Sequence, residues 1–141
     1  MSNTVSTHLE VRWGECDPAG IVYHPAYIDW FSVARMRWLR HHGVGYMEAF
    51  HDQGLVVVVL GVECRYRKTL RAEDQVRVDA SLVTLTRARM KFEYQVWNAE
   101  GVLCAEGSTE HAYVDESGRA VNVAKRAPQL WTRLQALRAE S

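Results

Sequence analysis

One long helical pattern, over residues 25–42, is followed by a chain that alternates with period two almost to its end. In the first segment Tyr27, Trp30, Phe31, Ala34, Trp38 and Leu39 recur at helical steps, which gathers them into one apolar stripe. Later, Val76, Val78, Ala80 and Leu82 alternate, as do Met90, Phe92, Tyr94 and Val96. Leu103, Ala105, Gly107, Thr109, His111 and Tyr113 form a third such set. Asn98-Ala99-Glu100-Gly101 and Asp115-Glu116-Ser117-Gly118 are turn signals beside these runs. Connections this short join antiparallel neighbours. A helix with one apolar stripe must bury it on another layer, and here that layer is a sheet. The pattern therefore predicts an α+β fold in which one long helix covers one face of an antiparallel sheet.

Local chemistry supplies the boundaries. Pro25 suits the first helical position and Gly43 the stop. Arg37, Arg40, His41 and His42 crowd the end of the segment, where the helix dipole favours positive charge. Residues 8–13 alternate, with Leu9, Val11 and Trp13 on one face, and read as a half-buried strand after a loose terminus over residues 1–6. Residues 55–60 are apolar on both faces, which predicts a central strand continuing through Tyr66. Residues 46–52 suit a short second helix, and Pro128 opens a closing helix with Leu130, Leu134 and Leu137 on one face. With 141 residues and no linker or repeat, residues 1–141 read as a single domain.

Composition removes several classes of function. The 17 basic and 17 acidic residues cancel, whereas a nucleic-acid binder normally shows a basic excess. Cys16, Cys64 and Cys104 are odd in number and widely spaced, as in a cytoplasmic protein with reduced thiols. No N-terminal apolar segment resembles a signal peptide, and the longest apolar run, residues 55–60, is far too short for a membrane span. His41 and His42 are adjacent and point to different helix faces, and no His-Glu-x-x-His pattern occurs, so no metal site is expected. A Gly-x-Ser-x-Gly elbow and a phosphate-binding loop are likewise missing from the sequence.

Candidate chemistry concentrates in Glu15-Cys16-Asp17-Pro18-Ala19-Gly20-Ile21-Val22-Tyr23-His24-Pro25. Asp17-Pro18-Ala19-Gly20 fits a type I turn, with Asp first, Pro second and Gly fourth. Pro18 holds Asp17 extended, and Pro25 disfavours helix at His24. Pro25 has no N–H, which leaves His24, Ala26 and Tyr27 as donors at the helix start. The segment fixes a carboxylate beside a helix N-terminus, where free amides attract negative charge. Asp is common at such a turn for structural reasons alone. Beside an anion-stabilising helix start it also suits acyl-transfer chemistry.

Gly14-Glu15-Cys16-Asp17-Pro18-Ala19-Gly20-Ile21-Val22, followed by Pro25, Tyr27 and Trp30, resembles the 4-hydroxybenzoyl-CoA thioesterase family. The likeness is tight over residues 12–38, and the order of elements fits almost the whole chain. It implies the hot-dog fold, a curved antiparallel sheet wrapped around one long central helix. It also implies hydrolysis of an acyl-CoA thioester to a free acid and coenzyme A, without metal or separate cofactor. The acyl group would be aromatic, of benzoyl or hydroxybenzoyl type, or short-chain. Asp17 falls on the family's catalytic carboxylate, acting as nucleophile or as general base for water. The backbone N–H of His24 falls on the oxyanion donor, flanked by the His24 side chain and Tyr23. Tyr27, Trp30, Phe31 and Ser32 fall along the acyl pocket. Ser32 stands where the 4-hydroxybenzoyl branch carries an acid, which argues against 4-hydroxybenzoate itself.

Arg87, Arg89 and Lys91 fall on a basic turn that holds the phosphates of coenzyme A, for which arginine's forked donors are suited. A second basic cluster of Arg65, Arg67, Lys68 and Arg71 reads as solvated strand ends and turns, and Glu15 as a solvated strand end. The resemblance further implies a homodimer or a dimer-of-dimers homotetramer, with the site at the subunit interface. A hot-dog hydroxyacyl-thioester dehydratase and a non-catalytic acyl-CoA binding module are the alternative readings.

Overall fold

Alternation in the strands turns one face of a single antiparallel sheet toward the apolar stripe of the long helix. In the computed structural model, which describes residues 3–139, that sheet has five strands in the order β1-β3-β4-β5-β2. They are β1 (Val5–Glu10), β2 (Val56–Tyr66), β3 (Gln75–Leu85), β4 (Arg89–Asn98) and β5 (Leu103–Val114). The long helix α1 (Pro25–His41) packs on the inner face. The short α2 (Tyr46–Ala49) leads back to β2, while α3 (Val123–Arg126) and α4 (Pro128–Ala139) close the chain. This is the expected hot-dog arrangement. No helix among the described residues is long and apolar enough to cross a membrane.

The core is where the two sequence periods meet. Phe31 of α1 stacks on Tyr94 of β4 with ring centroids 4.4 Å apart, and Trp38 meets Phe92 edge-on at 5.1 Å. Burying such side chains is worth about 1.5–3 kcal/mol each. Gly107 of β5 is what lets α1 sit this low. A Cβ there would lie 2.1 Å from the Glu63 carbonyl oxygen and 2.8 Å from the Phe31 ring. At the far end of α1, Gly43 turns the chain with φ +75°, the stop its position predicts.

Three expectations fail here. β1 begins at Val5, so residues 3–6 are not loose, while residues 1 and 2 lie outside the described residues. Asn3 is buried, its Oδ1 accepting from the Leu82 N–H and its Nδ2 donating to the Leu82 carbonyl, both at 3.0 Å. β1 also stops at Glu10, because Glu15 accepts the Arg12 N–H at 2.8 Å and winds residues 13–15 into a 3₁₀ turn. Trp13 on that turn is 69% exposed rather than inward. Finally, β2 lies at a sheet edge, with Val59, Leu60 and Val62 exposed. A two-sided apolar run signals that both faces will be covered; it does not say that the strand's own sheet supplies the cover.

Candidate active site

The segment from Asp17 to Tyr23 is clamped at both ends. Asp17 donates its N–H to Ile21 O, and Gly20 donates to Asp17 O, each at 2.9 Å, which closes the expected turn with Gly20 at φ +83°. Ile21 bridges Arg71, Val22 donates to Leu70 O at 2.9 Å, and Tyr23 donates to Glu15 O at 2.8 Å. The Asp17 side chain is half-buried. Its Oδ1 accepts the Ala19 N–H at 2.9 Å, and Oδ2 has no partner among the described residues. One carboxylate oxygen is thus held by the turn and the other is free.

That carboxylate lines an open cavity of about 430 Å³ shared with Tyr23, His24, Tyr27, Tyr66 and residues 67–69. The start of α1 borders the same cavity. His24 takes helical angles, φ −52° and ψ −35°, although a following proline disfavours them. The helix itself still begins at Pro25. Of the three candidate donors, Ala26 N–H is used by Tyr23 O at 3.0 Å and Tyr27 N–H by His24 O at 3.3 Å. The His24 N–H has no partner among the described residues. The Tyr23–His24 peptide is planar, so its N–H points opposite to its carbonyl. Because that carbonyl accepts from Ala26, inside the helix, the His24 N–H is directed outward from the helix start.

Aromatic rings frame the cavity. Tyr23 and His24 lie 4.7 Å apart, and Tyr27 meets Tyr66 edge-on at 5.0 Å. The Tyr66 hydroxyl donates to His24 O at 3.2 Å, tying the end of β2 to the helix start. Burial, with smaller contributions from the nearby thiols of Cys104 and Cys64, pushes the Tyr27 phenol up to about 12, so it stays protonated at neutral pH.

Glu15 is not a solvated strand end. Its side chain is 9% exposed. Oε1 accepts the Arg12 N–H at 2.8 Å, and Oε2 accepts the Trp30 indole N–H at 2.8 Å and Arg12 Nη2 at 3.3 Å. Burial alone would raise this carboxyl, but hydrogen bonds from the Arg12 backbone and Trp30, aided by the Arg12 guanidinium, outweigh it and lower the pKa. Trp30 and Phe31 consequently belong to the core and do not line the Asp17 cavity; only Tyr27 of the expected pocket residues does. Ser32 is half-buried, three residues before Arg35, which donates to its hydroxyl at 3.4 Å.

Arg67 and Lys68, read from sequence as solvated, border the cavity. Arg87 and Arg89 sit at the β3–β4 connection, whereas Arg71, which bridges Ile21, precedes the other end of β3. An 11-residue strand spans roughly 35 Å. Within one chain, therefore, that turn does not reach the Asp17 cavity. Lys91 lies partway along β4, on a separate cavity with Glu63 and Glu106. No local signal marks Tyr66 or residues 67–69 as site residues. Their placement depends on the register of β2 with β5, where Tyr66 pairs Ala105.

A carboxylate and the free N–H of a helix start border one cavity on a hot-dog sheet, an arrangement suited to a thioesterase-type domain. A sequence profile described as the thioesterase-like superfamily matches residues 11–135, and the chain belongs to that superfamily, a class of thioester hydrolases. A protein of Aquifex aeolicus assigned provisionally as an esterase is 36% identical over 115 residues, covering 82% of this chain and 88% of that one. The acyl-CoA thioester hydrolase YbgC of Escherichia coli is 25% identical over 107 residues, covering 76% and 79%. Among solved structures, the DHNA-CoA thioesterase of Staphylococcus aureus superposes with a TM-score of 0.88 at 27% identity, covering 97% of this chain and 94% of that one.

Proposed function

We propose that the chain hydrolyses an acyl-CoA thioester to a free acid and coenzyme A, using Asp17 as the reactive carboxylate. The observation that carries this is the pairing, across one cavity, of a free Asp17 oxygen with the unpartnered N–H of His24. With the thioester oxygen on the His24 N–H, negative charge developing in the tetrahedral intermediate meets a fixed donor and the positive end of α1. One such donor is worth about 3–4 kcal/mol. Asp17 Oδ2 then either attacks the carbonyl carbon or takes a proton from an attacking water. Single turnover in ¹⁸O-labelled water bears on these routes: unlabelled first-turnover acid with ¹⁸O on Asp17 requires attack by Asp17 and opening of the resulting anhydride at the Asp17 carbonyl. Labelled acid fits general-base attack by water or opening of the anhydride at the acyl carbonyl, which trapping of the anhydride with hydroxylamine then distinguishes.

Lys68 and Arg67 supply positive charge for the phosphates of coenzyme A. Arg87, Arg89 and Lys91 can join them only from another copy. The exposed apolar side chains of β2, at an edge whose backbone lacks a neighbour on one side, support a homodimer formed through that strand. Tyr23, Tyr27 and Tyr66 suit an aromatic acyl group, and the S. aureus neighbour is a DHNA-CoA thioesterase. The test is a panel of benzoyl-CoA, hexanoyl-CoA and 3-hydroxybutyryl-CoA with free-thiol detection. Thiol release from the first or second is expected. An enoyl product without thiol would point instead to dehydration, and no reaction with any member to a binding module.

A further inference from the structure

His24 holds a backbone conformation that its own sequence opposes. Its angles, φ −52° and ψ −35°, are helical, while the ring of Pro25 favours an extended residue there. A disfavoured conformation persists where the surroundings over-determine it. Two carbonyls bracket the residue. Tyr23 O accepts from the Ala26 N–H at 3.0 Å, and His24 O accepts from the Tyr27 N–H at 3.3 Å. Both donors belong to the helix start itself. A further donor comes from another element: the Tyr66 hydroxyl, 42 residues along the chain, donates to His24 O at 3.2 Å.

Tyr66 is anchored to the sheet. It is the last residue of β2 and pairs Ala105 of β5, and the next residue, Arg67, donates its N–H to Cys104 O at 2.8 Å. Its ring meets Tyr27 edge-on at 5.0 Å and His24 edge-on at 6.4 Å. Burial, then the adjacent Cys64 thiol, raise the phenol to about 12, so it keeps its proton at neutral pH. The helix is fixed in turn by its buried first turns, which include Ala26, Tyr27, Trp30 and Phe31. Relaxation of His24 to the extended angles that a following proline favours would turn its ψ by roughly 155° or more. With α1 packed in place, the part that swings is the Tyr23–His24 peptide, and that peptide carries the free N–H at the Asp17 cavity. We propose that Tyr66 is a positioning residue: its hydroxyl locks the His24–Pro25 peptide and so keeps the His24 N–H aimed at the thioester oxygen. On this reading, which rests on the proposed thioesterase activity, the end of β2 holds the oxyanion donor of α1 in place.

Tyr66→Phe keeps the ring and removes the hydroxyl. With the more active of benzoyl-CoA and hexanoyl-CoA, it should lower kcat about fivefold or more, while KM and coenzyme A binding stay within about twofold. Pro25→Ala lifts the opposition to helical angles at His24, so in that background Tyr66→Phe should cost less than about twofold. A hydroxyl that touched substrate, or served stability alone, would cost as much in both backgrounds. The amide itself can be followed without turnover. Tyr23-His24 is the one Tyr-His pair in the sequence, so ¹³C-carbonyl tyrosine with ¹⁵N-histidine selects its NMR signal. One sharp signal is expected in the wild type, a shifted or exchange-broadened one in Tyr66→Phe, and a sharp one again when Pro25→Ala is added. Wild-type kcat in Tyr66→Phe overturns the role given to Tyr66 and leaves the thioesterase reading intact. A loss carried by KM, an equal loss in both backgrounds, or a loss with an unaltered amide signal does the same. Absence of thiol release from both substrates overturns the thioesterase reading, and the amide signal then decides for or against Tyr66 alone.

Discussion

Replacing Glu15 with glutamine tests whether the Asp17 segment is held in place by a buried carboxylate. Glutamine has the same shape but only one acceptor oxygen. Glu15 now serves the Arg12 N–H with one oxygen and the Trp30 indole N–H with the other, each at 2.8 Å. In the variant one of these donors must face an NH₂ group. The loss is one charge-assisted hydrogen bond, about 1.5–3 kcal/mol, plus the cost of a partly buried donor left unpaired, about 1–3 kcal/mol. Allowing for overlap, we expect destabilisation of roughly 2–5 kcal/mol in urea unfolding at pH 7, a large part of a typical domain's stability. The Glu15 carboxyl is lowered from its ordinary 4.5, so its contribution is present above that value and lost as pH falls below it. The variant should lack this part of the acid slope. Pairing Glu15→Gln with Trp30→Phe removes one competing donor, and the double variant should be less destabilised than the two singles summed. A Glu15→Gln protein within about 0.5 kcal/mol of wild type would refute the reasoning.

Two further outcomes follow from the same geometry. His111 is pushed down to about 4 from 6.5, so the folded state resists a proton that the unfolded chain accepts. Stability should therefore fall by roughly 2 kcal/mol between pH 7 and pH 5, and His111→Gln should remove that share of the slope in urea titrations. Introducing a charge on the exposed edge strand, as Val59→Glu with Val62→Glu, should convert a dimer to a monomer in sedimentation equilibrium; a wild-type protein that is already monomeric would contradict the assembly.

What the sequence made legible was local. The turn at Asp17 needs only Pro18 and Gly20, and the limits of α1 need only Pro25 and Gly43, so neighbours in the chain determine both. The alternating runs of β3, β4 and β5 were equally readable, because each inward residue announces itself by period two. Features set by distant pairing were not. Tyr66 reaches the cavity only because β2 pairs with β5 in one register, and the edge position of β2 depends on the order of all five strands. Glu15 looked solvated because the indole that buries it lies 15 residues later. The family resemblance put Arg87 and Arg89 on a phosphate-binding turn, and the length of β3 carries that turn to the end of the sheet away from the Asp17 cavity of the same chain.

The central claim is best tested by the turnover of Asp17→Asn with the most active acyl-CoA of the panel, alongside a measurement of coenzyme A binding. Asparagine keeps the Oδ1 that holds the turn and removes only the free negative oxygen. The account predicts a fall in kcat of about a hundredfold or more with binding and fold retained. A variant that turns over at the wild-type rate would contradict it.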